Sequence, residues 1–280
     1  MERVTDWALL WRQVVEASHW PQSRPEGEWS READPWKVRA RDYAARVRRK
    51  WSRPDPIREF IASRVEAGST VLDIGAGTGS WSMLLARRAS KVTAIEPSPA
   101  MRDVLRESLA AEGIANVEVV AGFWPGVEVE PHDHVLCAHS MYGSADLPEF
   151  VQRLVGATRK SCFMLMRVPG ADGVMAEAAR RVWGQPHDSP NFLVGLGVLH
   201  QMGICPNVLV DSNPWEPWSS PSLEEALADV KRRLVLESAE HDEFLRDLLA
   251  RRLVYLDGRY VWPPATTSAL AYWDVTAPPR

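Results

Sequence analysis

Three glycines follow an apolar segment at every second position and open a predicted helix. The stretch "VLDIGAGTGSWS" begins at Val71 and carries Asp73 in its apolar part, with glycine at positions 75, 77 and 79. Glycine permits a tight turn and lets the backbone approach a ligand closely. The third glycine of the dinucleotide pattern GxGxxG and the lysine of a phosphate-binding loop are both missing here. The spacing therefore favours a ligand without a phosphate group.

A second carboxylate ends the next apolar segment. Glu96 closes "KVTAIEP", a position from which a carboxylate can accept hydrogen bonds from both hydroxyls of a ribose. Asp73, near the glycine turn, can face a positively charged group. Together the two carboxylates predict a ligand that carries a ribose and an amino group.

The elements that position these residues alternate along the chain from about residue 56. Five apolar strands, the last of them "SCFMLMRV", are separated by helical segments, which indicates a parallel sheet covered on both faces. Ser98 and Pro99 mark the start of one helix. Beyond residue 170 we expect further helices, a sixth strand at "NVLVDS" and a last strand at "SALAYWDV". The predicted fold class is α/β.

The segments "VLDIGAGTGSWSMLLA" and "VTAIEPSPAM" resemble the first two motifs of class I S-adenosylmethionine-dependent methyltransferases. The resemblance extends over about residues 70–170. It implies a Rossmann-like, mostly parallel sheet of seven strands in the order 3-2-1-4-5-7-6, with the final strand antiparallel. It also implies that the cofactor is S-adenosyl-L-methionine. The implied cofactor-binding residues are Asp73, Gly75, Ala76, Gly77, Gly79, Glu96, Pro97, Gly122, Phe123 and His139.

The same resemblance assigns parts of the cofactor to these residues. Asp73 and the turn 75–79 would hold the methionine part, and Glu96 would hold the ribose. The family often has an acidic residue for the adenine amine after the third strand, where this chain has Phe123 and Trp124. We therefore expect adenine to be held by the backbone at residues 122–123 and by apolar stacking.

The catalytic residues are expected at the end of the fourth strand, in "CAHSMYG". His139, Ser140 and Tyr142 should lie beside the methyl group. His139 is the candidate general base, and the alternative is a histidine that contacts the cofactor or shapes the pocket. The NPPY-like motif of enzymes that methylate amide or adenine nitrogens is missing here, which argues against those acceptors.

A loop beyond the fifth strand is a second candidate site. The stretch "GQPHDSPNF" contains His187, which we include among the candidate catalytic residues, with Asp188 and Asn191 nearby. The loop either meets the substrate or consists of Asx turns alone. Arg167, which ends the fifth strand, is also placed to face the site.

Three segments are predicted from the pattern. Residues 1–55 form an N-terminal helical lid, and residues 56–280 form the methyltransferase domain, in which residues 171–265 are an insertion that caps the substrate. Within the lid, the helix at 37–53 has a basic face that is either a solvated surface or a docking surface for an anionic partner. Its basic residues are Arg39, Arg41, Arg46, Arg48, Arg49 and Lys50.

Composition limits the classes of partner. The net charge of −4 gives no overall attraction to nucleic acid. No apolar run is long enough for a transmembrane helix, and the first residues do not resemble a secretory signal, so we expect a cytoplasmic protein. The three cysteines are widely spaced, and the pair His132 and His134 lies at the far end of its strand, so no metal site is predicted. The 13 tryptophans suggest that some line a pocket or a lid.

The sequence thus predicts methyl transfer from S-adenosylmethionine to a small-molecule acceptor. Two alternatives stay open: an RNA or protein methyltransferase that docks through the basic helix 37–53, and a cofactor-binding protein without catalysis. The acceptor atom and the oligomeric state have no signal in the sequence.

Overall fold

The computed structural model describes residues 5–18, 29–170, 172–211, 214–263 and 266–275. Its strands are β1 (Thr70–Ile74), β2 (Lys91–Glu96), β3 (Val117–Ala121), β4 (His132–Ala138), β5 (Thr158–Val168), β6 (Asn207–Val210), β7 (Ser219–Ser220), β8 (Val254–Leu256), β9 (Arg259–Val261) and β10 (Thr267–Asp274). Its helices are α1 (Trp7–Ala17), α2 (Ala40–Trp51), α3 (Pro56–Arg64), α4 (Ser80–Ala86), α5 (Pro99–Ala111), α6 (Leu147–Gly156), α7 (Val174–Trp183), α8 (Phe192–Gln201), α9 (Leu223–Arg233) and α10 (Asp242–Arg252).

Seven of the strands form one sheet in the order β3-β2-β1-β4-β5-β10-β6. The pairs among β1 to β5 are parallel, and β10 is antiparallel to both β5 and β6. The predicted α/β class, the implied sheet order and the antiparallel last strand are confirmed. Because parallel crossovers are right-handed, the return from β3 to β4 places the helices of the two halves on opposite faces.

The strands of the sheet centre are buried on both faces. In β1, Leu72 and Ile74 pack into one core cluster, together with residues of α1, α6 and α8. Val71 packs into the opposite cluster, with residues of α3 and α4. This two-sided burial explains the continuous apolar runs from which the strands were predicted.

Local sequence signals set several helix starts. Ser98 accepts a hydrogen bond from the backbone N–H of Met101 at 3.1 Å and caps α5, with Pro99 at the first helical position. Ser222 accepts in the same way from the N–H of Glu225 at 3.1 Å and caps α9. Each cap satisfies an N–H that has no partner within the helix.

The basic helix differs from its prediction. It begins at Ala40, and residues 31–33 and 35–39 before it form turns. Lys50, which was assigned to the solvated basic face, is buried, because it lies on the same side as Tyr43 and Val47. The spacing of these three positions is that of one helix face.

Residues within the predicted lid and insertion divide between two cores. Trp11 of α1 is fully buried in the main core, and its indole N–H donates to the carbonyl of Ser144 at 2.8 Å. Helix α8 and strand β6 also belong to the main sheet and its core. A separate apolar cluster joins α7, α9, α10 and β9, and we call these elements with β7 and β8 the cap. Its role over the substrate stays a prediction.

We expect Gly79→Ala to destabilise the protein strongly. Gly79 has φ 86°, and an added Cβ would lie 1.9 Å from Cδ1 of the buried Leu105. Left-handed strain of about 1–2 kcal/mol adds to overpacking of about 1–3 kcal/mol, so the free energy of unfolding should fall by about 2–5 kcal/mol in urea denaturation.

Gly68→Ala is the matched control for this substitution. Gly68 has a nearly identical φ of 85°, but no described atom lies within 4 Å of the added Cβ. Its loss should therefore be the backbone strain alone, about 1–2 kcal/mol. Equal losses in the two variants would contradict the steric account of Gly79.

Candidate active site

The glycine turn after β1 is held between two neighbouring strands. The N–H groups of Gly75 and Ala76 both donate to the carbonyl of Ile95 in β2, at 2.8 and 2.9 Å. On the other side, a Cβ on Gly75 would lie 2.2 Å from Cβ of Ser140, which follows β4. At Gly77 the nearest described atom to such a Cβ is Cε1 of Tyr43, at 4.0 Å. The turn therefore needs Gly75 for packing, whereas Gly77 faces open space.

Glu96 joins the end of β2 to this turn. Its carboxylate accepts hydrogen bonds from the N–H of Gly77 and the N–H of Ser98, both at 2.8 Å. The residue is 5% exposed, and burial raises the pKa of its carboxyl group to about 7. A carboxylate has lone pairs for further donors, so Glu96 can accept hydroxyl groups of a ligand.

A cavity of about 950 Å³ opens above the ends of β1, β2 and β4, and we call it the Glu96 cavity. Apolar and aromatic side chains surround the single carboxylate, and Phe123 packs edge-to-face on Trp29 with ring centroids 4.8 Å apart. The predicted residues in its wall are Gly75, Gly77, Glu96, Pro97, Gly122, Phe123, His139, Ser140 and Tyr142. The sheet thus brings together the turn, the ribose candidate and the adenine candidates.

A second cavity of about 670 Å³ lies beside the first, and we call it the Lys50 cavity. Lys50 donates to the carboxylate of Asp211 at 2.8 Å, and both side chains are almost fully buried. The wall also contains the edge-to-face pair Trp51 and Trp81, with centroids 5.1 Å apart. The two cavities share the wall residues Tyr43, Gly75, Gly77, Ala138 and His139.

His139 stands where the two cavities meet. Its Nδ1 is 2.9 Å from the hydroxyl of Tyr142, and its Nε2 is 3.2 Å from Oγ of Ser268. The Tyr142 oxygen also accepts from the backbone N–H of Arg167 at 2.6 Å. Both ring nitrogens of His139 thus have a hydroxyl partner, and the tautomer of the ring sets which atom of each pair donates.

The environment keeps the His139 ring neutral. Burial lowers its pKa to about 4, and the positive charge of Arg167 acts in the same direction. Burial raises the pKa of the Tyr142 hydroxyl to about 12. Both groups are therefore uncharged near neutral pH.

Several candidate residues lie outside the walls of both cavities: Asp73, Gly79, Arg167, His187, Asp188 and Asn191. Asp73 is buried behind the turn, where it accepts a hydrogen bond from the hydroxyl of Ser82 at 2.6 Å, and burial raises its pKa to about 6. Gly79 packs against α5. His187 is half-buried in the loop between α7 and α8, with Nδ1 3.4 Å from Nδ2 of Asn191. Their assigned roles toward cofactor and substrate stay predictions.

Several residues of the Lys50 cavity carried no functional prediction. Asp211, Trp215 and Ser268 come from segments far along the chain from the glycine turn. The burial of Lys50 could have been predicted, because Lys50 follows Tyr43 and Val47 at helical spacing and so belongs to their buried face. No comparable sequence signal placed Asp211 and Trp215 in a site, since both lie just beyond a short strand and outside any helical or strand pattern.

Neither a cluster of metal ligands nor a membrane-spanning helix occurs among the described residues. Among the described residues, no three His, Cys, Asp or Glu side chains lie close enough to hold a metal ion. His132 bonds to Thr93 at 2.9 Å and His134 to Glu66 at 3.3 Å, so the two rings have different partners. In the described ranges no helix is long and apolar enough to cross a membrane.

Residues 71–161 match the family described as a methyltransferase domain. With the sheet order and the glycine turn, this match supports a class I S-adenosylmethionine-dependent methyltransferase domain in these residues. The cofactor of this superfamily is S-adenosylmethionine. The Glu96 cavity fits that molecule, because it offers a buried acceptor for ribose hydroxyls beside aromatic walls for a purine.

Similar proteins cover different parts of the chain. A probable ribosomal RNA small subunit methyltransferase A of Methanosarcina acetivorans is 38% identical over 28% of this chain and 29% of its own length. A protein-L-isoaspartate O-methyltransferase of Methanoculleus marisnigri is 41% identical over 21% of this chain and 26% of its own length. An uncharacterized Haemophilus influenzae protein is 26% identical over 76% of this chain and 79% of its own length. The matches to the two methyltransferases thus span less than a third of those relatives.

The fold has a counterpart among solved structures. The crystal structure of a proposed methyltransferase from Bacillus halodurans C-125 superposes with a TM-score of 0.54 and 17% identity. The superposition covers 79% of this chain and 97% of that one. At this identity the likeness shows the fold alone.

We expect cofactor binding to release a proton, because burial raises the pKa of the Glu96 carboxyl to about 7. Hydroxyl donors favour the carboxylate, so affinity should rise with pH up to about 7 and then level off. Calorimetry in buffers of different ionisation enthalpy will count the proton. By the same linkage, the unliganded protein binds this proton more tightly than its unfolded chain does, so this contribution to its stability falls as pH rises toward 7.

Glu96→Gln should remove this pH dependence. Glu118→Gln is the matched control, because Glu118 is a half-exposed carboxylate on β3 that pairs with Lys91. An identical proton release in wild type and Glu96→Gln would place the titrating group elsewhere.

Proposed function

We propose that the chain transfers the methyl group of S-adenosylmethionine to a small-molecule acceptor bound in the Lys50 cavity. The observation that carries this proposal is the meeting of two cavities at Gly75, Gly77, Tyr43 and His139. One cavity has the chemistry of a nucleoside site, and the other holds aromatic rings and a buried ion pair. When bound, the cofactor supplies an electrophilic methyl group on a positively charged sulfur.

The residues of the chain would act mainly by position. Glu96 would accept the ribose hydroxyls, and Phe123 with Trp29 would flank the adenine. The backbone of the turn 75–77 and the ring of Tyr43 would fix the direction in which the methyl group meets the acceptor. Holding the nucleophile in line with the methyl group can supply most of the acceleration of such a displacement.

The hydrogen bonds of His139 support a positioning role over a general base. Both ring nitrogens are already engaged, Nδ1 with the Tyr142 hydroxyl and Nε2 with the Ser268 hydroxyl. A ring with a pKa of about 4 also accepts a proton poorly near neutral pH. An acceptor that enters already deprotonated, or that has a free lone pair, needs no base.

Two of the six basic residues of the helix, Arg46 and Lys50, are engaged at the Lys50 cavity, so its basic face is smaller than its sequence suggests. Arg41 pairs with Glu107 at 2.8 Å, Lys50 pairs with Asp211, and Arg46 lies over Trp215 at 5.4 Å. Arg39, Arg48 and Arg49 are exposed. An RNA or protein acceptor is the first alternative, and the descriptions of the two methyltransferase relatives favour it. The second alternative is a protein that binds the cofactor without turnover, and a transfer assay distinguishes it from an enzyme.

A transfer assay with labelled cofactor tests the proposal. We expect label from S-adenosylmethionine to enter the small-molecule fraction of a cell extract and not its RNA or protein fractions. Glu96→Ala should weaken cofactor binding in calorimetry at least about tenfold, since a charge-assisted pair of bonds is worth about 2–4 kcal/mol. Glu118→Ala should bind as wild type does.

Other outcomes of the assay would reject the proposal. Transfer of label to RNA at physiological salt would favour docking through helix 37–53, because weak phosphate contacts are lost at that salt concentration. Cofactor binding without transfer to any fraction would favour a non-catalytic protein.

The role of His139 has its own test. If it positions groups, His139→Asn should lower turnover by less than about 10², with an unchanged pH profile. If it is the base, the loss should reach about 10²–10⁴ and should shrink at high pH, where the acceptor ionises unaided. Ser268→Ala, which removes only the Nε2 partner, is the control for disturbance of the network.

A further inference from the structure

Three guanidinium groups are linked to the wall of the Lys50 cavity through neighbouring residues, and none of them is itself a wall residue. Arg46 lies over Trp215, a wall residue, at 5.4 Å, and over Trp218 at 5.8 Å. Arg233 of the cap lies over the same Trp218 ring at 4.3 Å. Arg167 lies in β5, where its partner in the sheet register is Ser268 of β10, another wall residue. The cap and the main sheet thus both contribute arginines to one region.

Arg167 and Arg233 have neutral partners. Within the described part of the chain, neither forms an ion pair with a carboxylate. Arg167 donates to the hydroxyl of Ser189 and to the carbonyl of Pro190, and its guanidinium lies 5.6 Å from the Tyr142 ring centroid. Arg233 stacks on Trp218. These contacts hold the two groups in place without neutralising their charge.

The carboxylates near these arginines bind other residues or act on Arg233 only through space. Asp211 binds Lys50, Asp229 binds Arg232, and Asp55, also in the cavity wall, caps α3. Asp188 acts on Arg233 electrostatically, as do Asp229 and the like charge of Arg167. Burial is the largest cause that lowers the pKa of Arg233, which shows a cation held partly out of water.

We infer that the acceptor carries a carboxylate or phosphate group that Arg167 and Arg233 bind together at the edge of the Lys50 cavity. A guanidinium presents a planar fork that matches such an anion, and charge-assisted bonds are stronger where water is excluded. Asp188 and Asp229 act on Arg233 only through space, so a partly buried guanidinium without a directly bonded carboxylate gains from an anion that joins it. This inference rests on the proposed function, because it describes the acceptor of that reaction.

The rest of the wall indicates the body of the acceptor. Tyr43, Trp51, Trp81 and Trp215 line the cavity, and flat aromatic rings bind flat apolar groups well. The acceptor class is therefore a small acid with an aromatic or similarly flat body. The anionic group would lie toward the cap and the apolar body toward the junction with the Glu96 cavity.

Calorimetry with simple probes tests this inference in the full chain saturated with S-adenosylhomocysteine. Benzoate and phenyl phosphate are the anionic probes, and benzyl alcohol is the neutral one. In wild type we expect at least one anionic probe to bind about tenfold more tightly than the alcohol. Arg233→Met should remove this preference, whereas Arg233→Lys should keep part of it.

Arg181→Met is the matched control, because Arg181 is an arginine of the cap that lies over an aromatic ring, Phe244 at 5.9 Å, away from the cavity wall. The comparison of probes in wild type needs no variant to fold. An equal affinity for all three probes, or an equal effect of Arg233→Met and Arg181→Met, would overturn the inference. So would an Arg233→Met variant that loses affinity for S-adenosylhomocysteine instead, because the arginine would then serve the cofactor.

The two proposals fail separately. Tight binding of S-adenosylhomocysteine with no preference for anions would overturn the acid site and leave methyl transfer standing. A preference for anions, measured without the cofactor in a chain that does not bind S-adenosylhomocysteine, would support the anion site and overturn the proposed function.

Discussion

The reversal of strand order at β1 is the constraint on which the site depends. β1 pairs with β2 on one side and with β4 on the other, so the connections that follow β1 and β4 lie over opposite faces of the sheet. The loops separate above the sheet and leave a crevice, and they come into contact where Gly75 packs against Ser140. The hydrogen bond from Gly77 to Glu96 then fixes the turn against β2.

The ion pair between Lys50 and Asp211 closes the other side. It joins α2 to the segment after β6, across 161 positions of sequence, with both charges out of water. Such a pair adds little net stability compared with apolar residues, but the loss of either partner leaves a buried charge uncompensated, at about 3–5 kcal/mol. Replacing only one residue of this ion pair should therefore destabilise the cavity wall.

The sequence predicted the parts of the site that depend on local patterns. The strands, the glycine turn and Glu96 follow from apolar runs and the residues at their ends, and His139 was expected beside them because it ends β4. The hydrogen bond between His139 and Ser268 was not predictable, since Ser268 lies in the last strand of the sheet. Arg167 was expected to face the site from the end of the fifth strand, but Arg233 was not predicted, because local periodicity does not encode the packing of the cap.

The placement of tryptophan has an optical consequence. Of the 13 tryptophans, Trp29, Trp36 and Trp124 line the Glu96 cavity, and Trp51, Trp81 and Trp215 line the Lys50 cavity. Indole emission shifts in wavelength and intensity when water beside the ring is replaced. The two cavities therefore report their own occupancy as intrinsic fluorescence, without a dye, and the two groups of rings give each ligand a different spectral signature.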